Sequence, residues 1–174
     1  MKNALRLFVL IIYLYGGNNA IAQIDKIDSD LEMMVEMEQM DLVTSKPTAM
    51  DPLSYNAKVV WSENKDQLAI VLKADLLNNW QIYAYASDAS AYITTEIRFE
   101  APKGLEPIGD WQKPIAKPYS EGVEIFKGEI FFVRYYKVVD GVKFVKPIKC
   151  GLYYQACDPN QCFPPKTKTV DLQF

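Results

Sequence analysis

The residues able to do covalent chemistry are few and crowd into one stretch. The chain has three cysteines, Cys150, Cys157 and Cys162, and no histidine. Without imidazole neither Ser-His-Asp nor Cys-His catalysis is open to it, and three thiols fall short of a four-thiolate zinc site. Two hairpin thiolates with no third ligand make a poor metal site, so neither a metal nor a cofactor is expected. Thiol chemistry remains. In the run Cys150-Gly-Leu-Tyr-Tyr-Gln-Ala-Cys157-Asp-Pro-Asn-Gln-Cys162-Phe-Pro-Pro165, Cys157 and Cys162 bracket four residues, three of which (Asp158, Pro159, Asn160) are strong turn formers. One strand should enter at Ile148 and another leave toward Phe174. The two sulfurs then sit at facing ends of a hairpin, where cross-strand Cβ atoms lie roughly 4.5–5.5 Å apart, close to the about 3.5–4.5 Å that a disulfide needs. A bridge closing so short a loop gains little from chain entropy, and exposed, strained bridges are more often the redox-active ones. The residues alone leave two readings open: a redox pair, or an ordinary hairpin staple.

Cys150 differs. Seven positions separate it from Cys157, and an odd separation along a strand places the two on opposite faces. It shares parity with Ile148, Leu152 and Tyr154, the expected core face, and is read as a free, buried thiol acting as a small hydrophobe. Near the hairpin, Asp158 should raise a thiol's pKa, while Lys149, Lys166 and Lys168 should lower it.

Strands are expected to position this hairpin. From Tyr55 onward apolar and polar residues alternate with period two: Leu68 to Leu76, Thr95 to Phe99, Ile130 to Tyr136, Ile148 to Tyr154 and Val170 to Phe174. Turn formers separate these runs at Glu63-Asn-Lys-Asp66, Asn78-Asn79, Pro102-Lys-Gly104, Asp140-Gly141 and Asp158-Pro-Asn160. About 120 residues with seven to nine half-buried strands suit an all-β, immunoglobulin-like antiparallel β-sandwich, with a closed barrel as the competitor. Tyr83, Tyr85, Tyr135, Tyr136, Tyr153 and Tyr154 are assigned to sandwich packing. The carboxylate pairs Glu121/Glu124 and Asp158/Asp171 read as solvated charges.

With the hairpin and strands in place, the run from Tyr154-Gln-Ala-Cys157 through Cys162-Phe-Pro-Pro165 to Val170 resembles the catalytic hairpin of the N-terminal periplasmic domain of the thiol:disulfide interchange protein DsbD. Trp80-Gln-Ile-Tyr83 and Glu121-Gly-Val-Glu-Ile-Phe126 resemble that family's other landmarks, so the resemblance spans residues 53–174. It implies an immunoglobulin-like fold and a relay of electrons between a membrane-embedded carrier and thioredoxin-like exported partners by dithiol–disulfide exchange. It implies that Cys162 forms the mixed disulfide with the partner and that Cys157 resolves it. It also implies an aromatic cap over the sulfurs, for which Tyr119 is the nearest match. Two departures stand out: the cysteine spacing is one residue shorter than in the best-known members, and Lys117-Pro118 replaces an acidic pair before the cap aromatic. With neither a membrane domain nor a thioredoxin-like domain in the chain, electrons are expected to arrive and leave in trans.

The first residues read as an address. Lys2 and Arg6 precede nine apolar residues, Leu7 to Tyr15, and Ala20-Ile-Ala22 offers small residues where a signal peptidase reads. Nine residues rise only about 14 Å as a helix, well short of a roughly 30 Å bilayer core. Residues 1–22 are therefore expected to be a signal peptide cleaved after Ala22, delivering the chain to the periplasm or outside, where disulfides persist. No nucleic-acid partner is expected, because the formal net charge is −3. Membrane contact is expected only through a partner. Residues 23–52 read as an acidic, Met-rich leader, helical or disordered. Residues 23–53 hold eight acids against two lysines, a net of −6, while 54–174 carry a net of +1. Met33, Met37 and Met40 fall at i, i+4 and i+7 with Met34 beside them. Soft thioethers can hold Cu(I), but the favoured reading is a sticky face that packs on the domain or on a partner.

Overall fold

The computed structural model describes residues 26–139, 144, 147–172 and 174. The proposed signal peptide with its Ala22 cleavage point and the Asp140-Gly141 turn lie outside these residues. Among the described residues one helix, α1 (Ser29–Asp41), precedes ten strands: β1 (Leu53–Trp61), β2 (Gln67–Leu76), β3 (Ile82–Ala86), β4 (Glu96–Phe99), β5 (Leu105–Gln112), β6 (Lys117–Ser120), β7 (Val123–Phe126), β8 (Glu129–Val138), β9 (Ile148–Tyr154) and β10 (Lys166–Leu172). No described helix is long and apolar enough to cross a membrane.

Among the described residues these strands pair antiparallel and form three sheets, ordered β1-β2-β8-β5, β10-β9-β4 and β3-β7-β6. The main core lies between the first two. Leu68, Ile70, Leu72 and Ala74 of β2, with Phe132 and Tyr136 of β8, meet Cys150, Leu152 and Tyr154 of β9 and Leu172 of β10. These positions follow period two within each strand, because only alternate side chains face inward. The chain is thus an immunoglobulin-like antiparallel β-sandwich. Strands β9 and β10 approach closely at Gly151, where a Cβ would lie 1.9 Å from the Lys168 carbonyl oxygen, so only glycine fits beside Cys150.

The β2 strand departs from the half-buried expectation: Gln67 to Ala74 are buried on both faces. The cause is α1. Helix-favouring Leu, Met, Glu and Gln residues form it, Asp30 and Glu32 complement the dipole in its first turn, and it ends where Leu42 turns extended. Leu31, Val35 and Leu42 pack over Val60, Ala69, Val71, Val133 and Tyr135 on the outer face of the first sheet. The buried Gln67 amide ties down the helix entry, accepting from the Asp28 N–H at 3.1 Å and donating to the Lys26 carbonyl at 2.9 Å. Asp30 accepts from the Glu63 N–H at 2.9 Å, and Lys58 pairs with Glu38 at 2.6 Å. Of the leader methionines, read as a face that packs on the domain or on a partner, Met34 packs against the cluster of Leu31 and Val35, while Met33, Met37 and Met40 are exposed.

Candidate functional site: a disulfide hairpin under aromatic rings

The connection between β9 and β10 carries the reactive groups. Turn chemistry shapes it. The Asp158 carboxylate accepts from the N–H groups of Asn160 at 2.7 Å and Gln161 at 2.8 Å, and the Asp158 N–H donates to the Gln161 carbonyl at 2.9 Å. The Asn160 N–H bond, together with Gln161, holds the Asp158 carboxyl below its ordinary pKa against the opposing effect of desolvation. Cys157 and Cys162 face each other across this turn as an isolated antiparallel bridge, and their sulfurs are bonded at 2.06 Å with Cα atoms 4.0 Å apart.

The two half-cystines sit in different surroundings. Cys157 is 1% exposed, whereas Cys162 is exposed. Cys157 is locked to the segment before β3 by a reciprocal backbone pair: its N–H donates to the Gln81 carbonyl at 3.0 Å, and the Gln81 N–H returns a bond to its carbonyl at 2.9 Å. Its side chain belongs to a small cluster, separate from the main core, with Tyr83 of β3 and Val123 and Ile125 of β7. Tyr92, from the β3–β4 connection, packs on that cluster and stacks on Tyr83 with ring centroids 4.3 Å apart. Burial is the largest cause raising the Tyr83 phenol to about 12. Beyond Cys162, Phe163 stacks on buried Trp80 at 4.9 Å, and its N–H donates to the Ala156 carbonyl at 2.9 Å. The downstream arm is therefore anchored while Cys162 itself is left open.

Tyr119 lies on β6 and is 45% exposed, edge-on to Tyr83 at 6.4 Å and to Tyr92 at 6.2 Å. It supplies the outer ring of a three-tyrosine cluster. Its hairpin turns through Gly122, whose φ of +67° favours glycine. The inner rings, Tyr83 and Tyr92, are not marked by the sequence as site residues: Tyr83 follows a strand pattern that reads as packing, and Tyr92 sits in a loop with no strand pattern. The only local signal for Tyr92 is an aromatic within an otherwise small, polar stretch, Ser87-Asp-Ala-Ser-Ala-Tyr92. A tie between this loop and the hairpin comes from Gln155, whose side-chain oxygen accepts from the Ile93 N–H at 3.2 Å.

Cys150 is a free thiol, 0% exposed, in the main core rather than the cluster around Cys157. Burial pushes it up to about 12, so it is not a thiolate at neutral pH. The lysines expected to tune a hairpin thiol have other partners. Lys166 and Lys168 both pair with Asp51, Lys168 also donates to the Leu53 carbonyl at 2.9 Å, and Lys149 lies 3.8 Å from Asp171. Among the described residues no group of His, Cys, Asp or Glu side chains is arranged to hold a metal.

Fold and site together define a class: a β-sandwich presenting a disulfide at the tip of a hairpin, one half-cystine open and the other covered. No protein-family model matches the chain, and no curated protein matches it. Among solved structures it is similar to the N-terminal periplasmic domain of ScsB from Proteus mirabilis, at 18% identity and a TM-score of 0.45 over 69% of this chain and 44% of that one. The match thus spans less than half the ScsB chain. The DsbD N-terminal domain of Neisseria meningitidis in its reduced form is similar at 18% identity and a TM-score of 0.37, over 59% of this chain and 74% of that one. The GAE domain of yeast GGA1 is similar at 13% identity and a TM-score of 0.41, over 75% and 97%. At such identities and scores the likeness assigns neither a family nor an activity.

Proposed function

We propose that the protein is an exported thiol–disulfide exchange module that relays reducing equivalents to or from a thioredoxin-like partner through Cys157 and Cys162. On this reading residues 1–22 export the chain to the periplasm or beyond, 23–52 form the leader and 53–174 form the exchange domain. The observation that carries the reading is the asymmetry of one disulfide, with Cys162 open to solvent and Cys157 buried among Tyr83, Val123 and Ile125. Exchange needs one sulfur that a partner can reach and a second that can return to it. In the reducing direction, the Cys162 thiolate attacks a partner disulfide, forms the mixed disulfide and releases one partner thiolate. The Cys157 thiolate then attacks the Cys162 sulfur. The internal bridge re-forms, and the partner leaves as a dithiol carrying two electrons. A membrane electron carrier in trans restores the reduced hairpin by the reverse exchange. The tyrosine cluster, Tyr119 outermost, shields Cys157 until a partner displaces it.

Single-cysteine variants test this. Cys157→Ala leaves Cys162 without its resolving thiol and is expected to accumulate a mixed disulfide with a thioredoxin-like protein, visible on a non-reducing gel. Cys162→Ala is expected to trap none. Equal trapping by both, or by neither, overturns the assignment.

The reciprocal Gln81–Cys157 backbone pair favours a second reading, in which the bridge only staples the hairpin of a binding or assembly module. The reduction potential separates the two. A value near roughly −200 mV belongs to a relay, and one below about −300 mV to a structural bridge.

A further inference from the structure

Helix α1 carries two apolar stripes on opposite sides. At about 100° per residue, Leu31 and Val35 fall together on one side, and Met33, Met37 and Met40 fall within a sector of roughly 60° diametrically across from them. The first stripe is spent on the sheet: Leu31 is 0% exposed and Val35 is 2% exposed. The second faces solvent, with Met33 at 58%, Met37 at 55% and Met40 at 77%. Packing within the chain therefore gives no reason for the methionines, although methionine ranks among the residues most often buried.

Chemistry supplies a reason. All three outward residues are thioethers, with no leucine, isoleucine, valine or phenylalanine among them. Neighbours at i, i+4 and i, i+3 lie about 5–6 Å apart at Cβ, and methionine's flexible side chain can bring adjacent sulfurs onto one ion. Exposed Glu36 and Asp41 flank the stripe, and the last helical turn has no basic residue, so the local field favours a cation. Other soft ligands are out of reach. There is no histidine, Cys157 and Cys162 are bonded to each other, and the Cys150 thiol is buried. We propose that Met37, with Met33 one turn before it or Met40 one turn after it, forms a thioether site for a soft monovalent cation, Cu(I) in a cell, on the solvent face of the leader helix. Thioethers select Cu(I) over hard or divalent ions, which prefer oxygen or nitrogen. This site is independent of the exchange chemistry proposed for the hairpin.

The test uses the full chain with its disulfide oxidised, under anaerobic conditions, and titrates Cu(I) against a chromogenic Cu(I) chelator. One equivalent is expected to bind. Replacing all three residues (Met33→Leu, Met37→Leu, Met40→Leu) keeps the helix and its apolar character while removing the sulfurs, and is expected to weaken binding at least about ten-fold. The pair Met34→Leu and Met50→Leu is expected to leave binding intact. Circular dichroism checks that each variant is folded. The proposal fails if wild-type protein leaves all Cu(I) with the chelator, if the triple variant binds as wild type does, or if the Met34/Met50 pair abolishes binding. Should the triple variant not fold, Met37→Leu alone, which removes the central sulfur, is expected to weaken binding, and unchanged affinity there overturns the site.

Discussion

The two ends of the chain cover the sandwich in contrasting ways. At the leader end, α1 lays aliphatic Leu31 and Val35 on a sheet face and adds hydrogen bonds through Gln67 and Asp30 and a Lys58–Glu38 ion pair at its margins. At the hairpin end, Tyr83 and Tyr92 pack in the cluster around one half-cystine, with Tyr119 edge-on to both rings, and the other half-cystine is left in solvent. Aliphatic side chains meshed into a sheet make close packing, and loss of one leaves a cavity. A partly exposed stack of rings buries less and can part without opening the core. The first arrangement suits permanent attachment, and the second suits a cover that opens.

The sharpest way to break this contrast is at the helix. Leu31→Ala is expected to cost about 2–3 kcal/mol in urea or thermal unfolding, the range for emptying a well-packed aliphatic site, while the rate at which dithiothreitol reduces the disulfide stays as in wild type. A change in that rate would mean that the two ends are coupled. Tyr92→Ala is expected to do the reverse: about 1 kcal/mol of stability lost with the stack on Tyr83, and reduction of the Cys157–Cys162 bridge accelerated several-fold. Tyr119→Ala should accelerate it less, because its ring is the outer one. Equal rates in wild type and Tyr92→Ala would remove the covering role from this ring.

The smallest effect concerns the ion pairs that join the leader to β10. Desolvation acts to raise the Asp51 pKa, but Lys168 and Lys166 outweigh it and hold the carboxyl below its ordinary value. A carboxyl whose folded-state pKa lies below its unfolded value stabilises the fold above that unfolded value, about 4, and the contribution disappears as pH falls through the folded one. Because Asp51 is half exposed, solvent screening limits Asp51→Asn to about 0.5 kcal/mol at pH 7. The stabilities of variant and wild type should converge in acid, once the pH lies below the folded-state value. A gap that persists in acid would show that Asp51 acts through packing and hydrogen bonding rather than charge.

Period-two alternation alone made the strands, the all-β class and the inward parity of Leu152 and Tyr154 legible, because a strand's side chains alternate faces whatever lies beyond it. The turn between the hairpin cysteines was equally legible, since Asp158, Pro159 and Asn160 bend the chain locally. Two things were not. The burial of Ala69 and Val71 depended on a helix some thirty positions earlier, and which stripe of that helix turned inward was a choice between two apolar faces that periodicity could not rank. The rings near Cys157 come from β3, the loop after it and β6, and it is the β3-β7-β6 sheet and its connections that gather them beside a hairpin some forty to seventy positions later. Local sequence specified the strands, the bend and the nearness of two sulfurs, because those depend on neighbours within a few residues. Only the tertiary structure decided that one of those sulfurs is covered and the other open, because burial depends on whatever the rest of the chain folds over a residue.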